Sequence, residues 1–145
     1  MTLRHFIAAI AVAGLVAGCG SGPAKRITPS TVSIQELVAK PDGQWRLTLR
    51  IQNYSTVAMH YAALHGTLHI AGADVGDIDL APDLDIPPNS ADVIDATLRA
   101  SAQLPAGDID YRIEGTIDTS EPKASFKFDR SSRLSPAPGL ANTWR

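Results

Sequence analysis

The sequence predicts an all-β protein: an antiparallel β-sandwich of about seven strands, preceded by a cleaved N-terminal leader. Three observations predict it. Short alternations of apolar and polar residues recur from Thr31 to Phe128, each ended by Gly, Pro, Asn or Asp, as half-buried strands and their turns are. The only helix-length apolar stretch, Phe6 to Val16, lies in the leader. Removing residues 1–18 from the 145 leaves 127, enough for one domain with a real core and too few for two.

The elements follow in order. Val32 and Ile34 alternate with Thr31, Ser33 and Gln35, and the shift to Leu37 and Val38 marks a bulge. Lys40-Pro41-Asp42-Gly43-Gln44 is a reverse turn, with Pro fixing one φ and Gly free to make another positive. Trp45, Leu47, Leu49 and Ile51 then alternate with Arg46, Thr48, Arg50 and Gln52, which gives a strand with one buried and one wet face. After Asn53-Tyr54-Ser55, a third strand carries Leu64, Gly66, Leu68 and Ile70 on one face and His65, Thr67 and His69 on the other. Gly72-Ala73-Asp74 turns the chain into Val75, Ile78 and Leu80. Pro82, Pro87 and Pro88 make residues 82–90 a loop. Ile94, Ala96 and Leu98 form the next strand, Ile109, Tyr111, Ile113 and Ile117 the sixth, and Phe126 and Phe128 the seventh. The expected core is Trp45, Leu47, Leu49, Ile51, Leu68, Ile70, Ile113 and Phe126.

The ends differ from the middle. Residues 135–145 carry Pro136, Pro138 and Gly139 without a period and read as a loose tail, Trp144 fraying with it. Residues 20–28 are small, polar and interrupted by Pro23, a tether that reaches about 30 Å when extended. Ahead of them, Arg4 and His5 precede eleven apolar residues that cover roughly 16 Å, about half of a hydrocarbon core. That is the layout of a secretory leader, too short to span.

The leader ends in Val16-Ala17-Gly18-Cys19, which resembles the lipobox of bacterial lipoproteins at every position. The resemblance implies cleavage between Gly18 and Cys19, a diacylglycerol thioether on Cys19, and attachment to a membrane by two or three acyl chains, which hold a protein stably where one does not. Gly20, standing where an aspartate favours the inner membrane, implies an outer-membrane address facing the periplasm. The domains are thus a signal peptide at 1–18, a lipidated cysteine and flexible tether at 19–28, a sandwich at 29–134 and a tail at 135–145.

Composition narrows the function. With Arg4 lost, 12 Lys and Arg face 15 Asp and Glu, a formal charge of −3 that points away from nucleic acid. Cys19 is the only cysteine, so the domain is expected to hold by packing, with neither disulfide nor metal.

Residues 29–134 resemble the LEA-2 or WHy (water stress and hypersensitive response) family. The matching features are Pro29, Asp42-Gly43 leading to Trp45 through Asn53, and Gly66-Thr67-Leu68-His69-Ile70-Ala71-Gly72 followed by Val75-Gly76. Ile86-Pro87-Pro88-Asn89-Ser90 and Tyr111 through Ile117 complete them. Asn53 is followed by Tyr54 where the family has proline, a departure that touches the loop. The resemblance implies an immunoglobulin- or fibronectin-like sandwich, a role in tolerance of water stress and no catalytic residues.

Two clusters invite chemistry. His65 and His69 share a strand face but stand about 13 Å apart, whereas zinc bonds of about 2 Å need ligands close together. They and His60 read as a wet sheet face. Asp74, Asp77, Asp79, Asp83 and Asp85 crowd as calcium loops do, but counting from Asp77 puts Pro82 where the loop needs glycine and Pro88 where it needs glutamate. No nucleophile elbow, phosphate loop or Cys-x-x-Cys pair is present. The expectation is a lipid-anchored, non-catalytic envelope protein without cofactor or metal, binding or protective under water stress. The alternative is an assembly accessory that docks on an envelope protein through a sheet edge.

Overall fold

The computed structural model describes residue 20 and residues 22–145, so Gly18, Cys19 and the leader lie outside the described residues. Nine strands make two antiparallel sheets: β1 (Thr31–Ala39), β2 (Gln44–Gln52), β3 (Met59–Ile70), β4 (Ala73–Leu80), β5 (Leu84–Ile86), β6 (Ala91–Arg99), β7 (Ile109–Glu121), β8 (Lys123–Leu134) and β9 (Thr143–Trp144). The first sheet runs β6-β2-β1-β9 and the second β4-β3-β7-β8, with β5 beside the start of β3. The architecture is the β-sandwich the alternation predicts, with no helix among the described residues.

Apolar positions of both sheets meet in one core. Val32, Leu37, Leu47, Leu49 and Ile51 from the first sheet face Tyr61, Leu64, Leu68, Ile113 and Ile117 from the second, and all are fully buried. The bulge expected in β1 falls between Ile34 and Glu36, where the pairing with β2 shifts register. A second irregularity, at Tyr61–Ala63 of β3, switches the phase of that strand. Met59 and Tyr61 point inward before it and Leu64, Leu68 and Ile70 after it, so His60, His65 and His69 all stay outside. Without the bulge, one half of β3 would turn its apolar residues to solvent.

Two tyrosines tie the sheets together. The hydroxyl of Tyr61 shares a 2.6 Å hydrogen bond with Ser30, and the Ile34 amide donates to the Tyr111 hydroxyl at 3.2 Å. Burial pushes the Tyr61 pKa up against the opposing effect of Ser30. Gly66 and Gly115 pair across β3 and β7, and the Phe128 ring packs over them. A Cβ on Gly115 would sit 2.6 Å from the Gly66 Cα, so only glycine permits this approach. Phe128 is the buried aromatic of β8 and Phe126 is half-buried, a correction to the expected core: opposite Ile117, Phe126 has no such notch to enter.

Three further expectations are corrected. Residues 82–90 contain β5, which pairs Leu84, Asp85 and Ile86 with Tyr61, His60 and Met59. Its prolines flank the strand and forfeit no ladder donor. Residues 135–145 are a docked segment, not a loose tail: β9 pairs with Leu37 and Val38 of β1, and Trp144 is buried, its indole donating to the Gly107 carbonyl at 3.0 Å. Amide bonds in both directions between Ser135 and Arg145 close the segment on itself, so the sandwich extends to the last residue. The tether, assigned to 19–28, is also shorter. Its second half lies along Ser55 and Thr56, with Arg26 N–H donating to Thr56 Oγ1 at 2.8 Å, Thr56 N–H to the Arg26 carbonyl at 3.0 Å and Thr28 N–H to Ser55 Oγ at 2.9 Å.

Beneath that attachment lies Asn53, fully buried. Its Nδ2 donates to the carbonyls of Val57, Pro87 and Ile86 at 2.9, 3.0 and 3.1 Å, and its Oδ1 accepts from Ser55 N–H at 2.8 Å. One side chain thus fixes the loop after β2, the segment after β5 and the seat of the tether.

Candidate functional site

The outer face of the second sheet concentrates the titratable side chains. Strand pairing sets His65 opposite Asp79, Thr67 opposite Asp77 and His60 opposite Asp85. Each histidine takes an acid. His60 Nδ1 lies 2.8 Å from Asp85 and its Nε2 3.2 Å from Asp83; His65 Nδ1 is 3.0 Å from Asp79; His69 Nε2 is 3.1 Å from Glu114. The hydrogen bond to Asp85 raises the His60 pKa above its ordinary value, helped by the charges of Asp85 and Asp83 and opposed by desolvation.

Beyond His69 the pairing continues. Arg112 makes a two-armed contact with Asp129 at 2.9 and 2.7 Å and reaches Glu114 at 2.7 Å. Arg133 pairs with Asp110 at 2.7 Å. These hydrogen bonds hold the carboxyls of Asp129 and Asp110 below the usual carboxylate range and raise both guanidinium pKa values. A shallow cleft of about 670 Å³ opens here, walled by His69, Arg112, Ser132 and Arg133. Its cations are already neutralised by protein carboxylates.

Chemically, this face is a charge-paired polar surface. Among the described residues no hydrogen bond joins Ser131 or Ser132 to His69, so neither serine has a base. Among the same residues, no three His, Cys, Asp or Glu side chains converge in the manner of a metal centre. His65 and His69 lie where the alternation placed them, His60 joins them on the outer face through the phase switch at Tyr61–Ala63, and the crowded aspartates are divided between β4 and the segment of β5. What the sequence missed is the acid on each histidine, because cross-strand register is not legible from one strand. The residues assigned to processing and lipidation, Gly18 and Cys19, lie outside the described residues.

No protein-family model and no curated protein matches the chain. Among solved structures, the solution structure of AT1g01470 from Arabidopsis thaliana is similar to it over 82% of this chain and 88% of that one, with a TM-score of 0.57 at 14% identity. The X-ray structure of the structural-genomics target SoR45 is similar over 79% of this chain and 92% of that one, with a TM-score of 0.51 at 17% identity. At such identities the likeness is one of fold.

Proposed function

We propose that this chain is a lipid-anchored protein of the bacterial envelope, of LEA-2/WHy type, which protects its neighbours during water loss by surface contact and without turnover. The observation that carries the reading is Val16-Ala17-Gly18-Cys19 at the end of an eleven-residue apolar run. Two features of the fold support it. The sandwich commits its apolar residues to a core, so it does not act by ordering on dehydration as disordered stress proteins do. Its outer faces instead offer hydroxyls, amides and paired charges along the strands, groups that substitute for water at another surface. The family resemblance is supported by the placement of its residues: Asn53 is the buried hub, and Asn89 occupies a turn with φ of 51°.

The alternative, an accessory that docks through a sheet edge, is favoured by one observation. β8 is twelve residues long and outermost in its sheet, with its far edge unpaired among the described residues. Lys123, Lys127, Arg130 and Arg133 along it are charges of the kind that discourage strand addition.

Cys19 tests the anchor. The wild-type protein is expected to be processed, to incorporate labelled fatty acid and to partition into detergent, while Cys19→Ser remains uncleaved or soluble. Processed Cys19→Ser protein in the detergent phase would contradict the reading.

A further inference from the structure

We propose that a cleft at the tether end of the sandwich, with Arg50 and Arg130 in its walls, binds the phosphate of an anionic phospholipid headgroup. This rests on the lipid-anchor reading and adds to it an orientation and a contact.

The two arginines come from different sheets. Arg50 stands on the outer face of β2, opposite Ser33 of β1. Arg130 belongs to β8, in step with Phe126 and Phe128, yet it is exposed, because β8 is an edge strand and here runs past the rim of β1. Together with Thr31, Ser33, Gln52 and Tyr54 they line a cleft of about 270 Å³. Its lining side chains include no carboxylate, and Arg50 is held by one hydrogen bond, to Gln52 Oε1 at 2.8 Å.

Arg46, Arg112, Arg133 and Arg145 each have a carboxylate partner, whereas among the described residues Arg26, Arg50, Arg99 and Arg130 have none. What sets Arg50 and Arg130 apart from the other two is that they line one cleft. Asp92 borders the far side of Arg50, and its carboxylate accepts the Val93 amide at 2.8 Å. Two unneutralised guanidiniums with hydroxyls between them suit phosphate, which takes forked N–H donors and tolerates hydroxyl contacts.

The tether fixes which phosphate is near. Because residues 24–28 are bound along Ser55 and Thr56, only five residue steps separate Cys19 from Ala24, a reach of about 17 Å at full extension. An acyl group on Cys19 therefore holds this end of the sandwich against headgroups. The same end displays Lys25, Arg26, and the half-exposed Ile27 and Tyr54, the mixture of charge and apolar surface that settles at an interface. A charge on the core side of edge strand β8 also discourages strand pairing. That role asks nothing of Arg50, whose position across the cleft is what makes a site.

The test uses the chain from residue 19 carrying Cys19→Ser, which retains every strand and every core residue. Sedimentation with vesicles of phosphatidylcholine alone, or mixed with phosphatidylglycerol, is expected to show binding to the mixture only. Each basic residue near an anionic surface strengthens binding about fivefold, so the Arg50→Gln/Arg130→Gln variant is expected to bind about thirtyfold more weakly. Lys40→Gln/Arg99→Gln, which removes the same charge at the opposite end, is expected to bind as the parent does. Equal weakening by both pairs, unchanged binding by the cleft variant, or displacement by inorganic phosphate at the lipid's concentration would each overturn the proposal, the last by assigning the cleft to free phosphate. The protein used has no acyl group, so failure here leaves the anchor standing, and failure of the Cys19 test leaves this binding measurable.

Discussion

Asn53→Ala is expected to destabilise the domain by roughly 3–5 kcal/mol, because it strips partners from several buried groups at once. The carbonyls of Val57, Ile86 and Pro87 lose their shared donor, and Ser55 N–H loses its acceptor; Asn53, Ser55 and Ile86 are fully buried, while Val57 and Pro87 lie nearer solvent. Each unsatisfied buried group costs about 1–3 kcal/mol, and a domain of this size has about 5–15 kcal/mol in all. The melting temperature should fall by about 10–20 °C. Asn53→Asp separates shape from chemistry: it keeps the acceptor and the volume but brings a carboxylate against three carbonyl oxygens, so it should be no more stable than the alanine variant. Urea unfolding of both proteins checks this. A loss below about 1 kcal/mol would mean that water replaces the side chain.

Trp144→Ala is expected to cost about 3–5 kcal/mol, the usual range for emptying a buried indole site. Trp144 closes the core at the rim of β1, donates to Gly107, and stands opposite Pro136 in the hairpin of the last eleven residues. Arg145 beside it pairs with Glu36 at 2.7 Å, so the C-terminus is held at both faces. Trp144→Phe keeps most of the volume and loses one hydrogen bond, for about 1 kcal/mol. Removal of residues 135–145 should cost at least as much as Trp144→Ala. A frayed tail would give no change in unfolding midpoint for any of the three, and that result would contradict the docked position.

Much of this fold is legible in the chain because strand alternation and core burial are the same fact read twice. Trp45 through Gln52 alternate without exception, and the structure buries every second residue. β5 is obscured by its prolines, although Leu84, Asp85 and Ile86 alternate, because three residues are too few for a period. β9 is shorter still, and the only sign of it is a tryptophan in a polar tail. Phe128 rather than Phe126 fills the core for a reason that lies on the next two strands, the paired glycines 115 and 66. The candidate surfaces follow the same division. That His65 and His69 face outward is local information, whereas the outward turn of His60 at the bulge, the acid each histidine meets and the cleft between Arg50 and Arg130 depend on which strands become neighbours.

On the proposed lipid anchor, the tether is what connects fold to function. A domain held within a few tens of ångströms of a membrane meets its neighbours at high local concentration, so weak contacts by its polar faces suffice. The most direct measurement is survival and envelope leakage after drying and rewetting, compared among the wild type, a deletion strain and a strain making only Cys19→Ser. The deletion strain is expected to leak and die more than the wild type, and the unanchored protein is expected not to restore it. Equal survival of deletion strain and wild type would contradict the protective role, and full rescue by Cys19→Ser would contradict the part played by the tether.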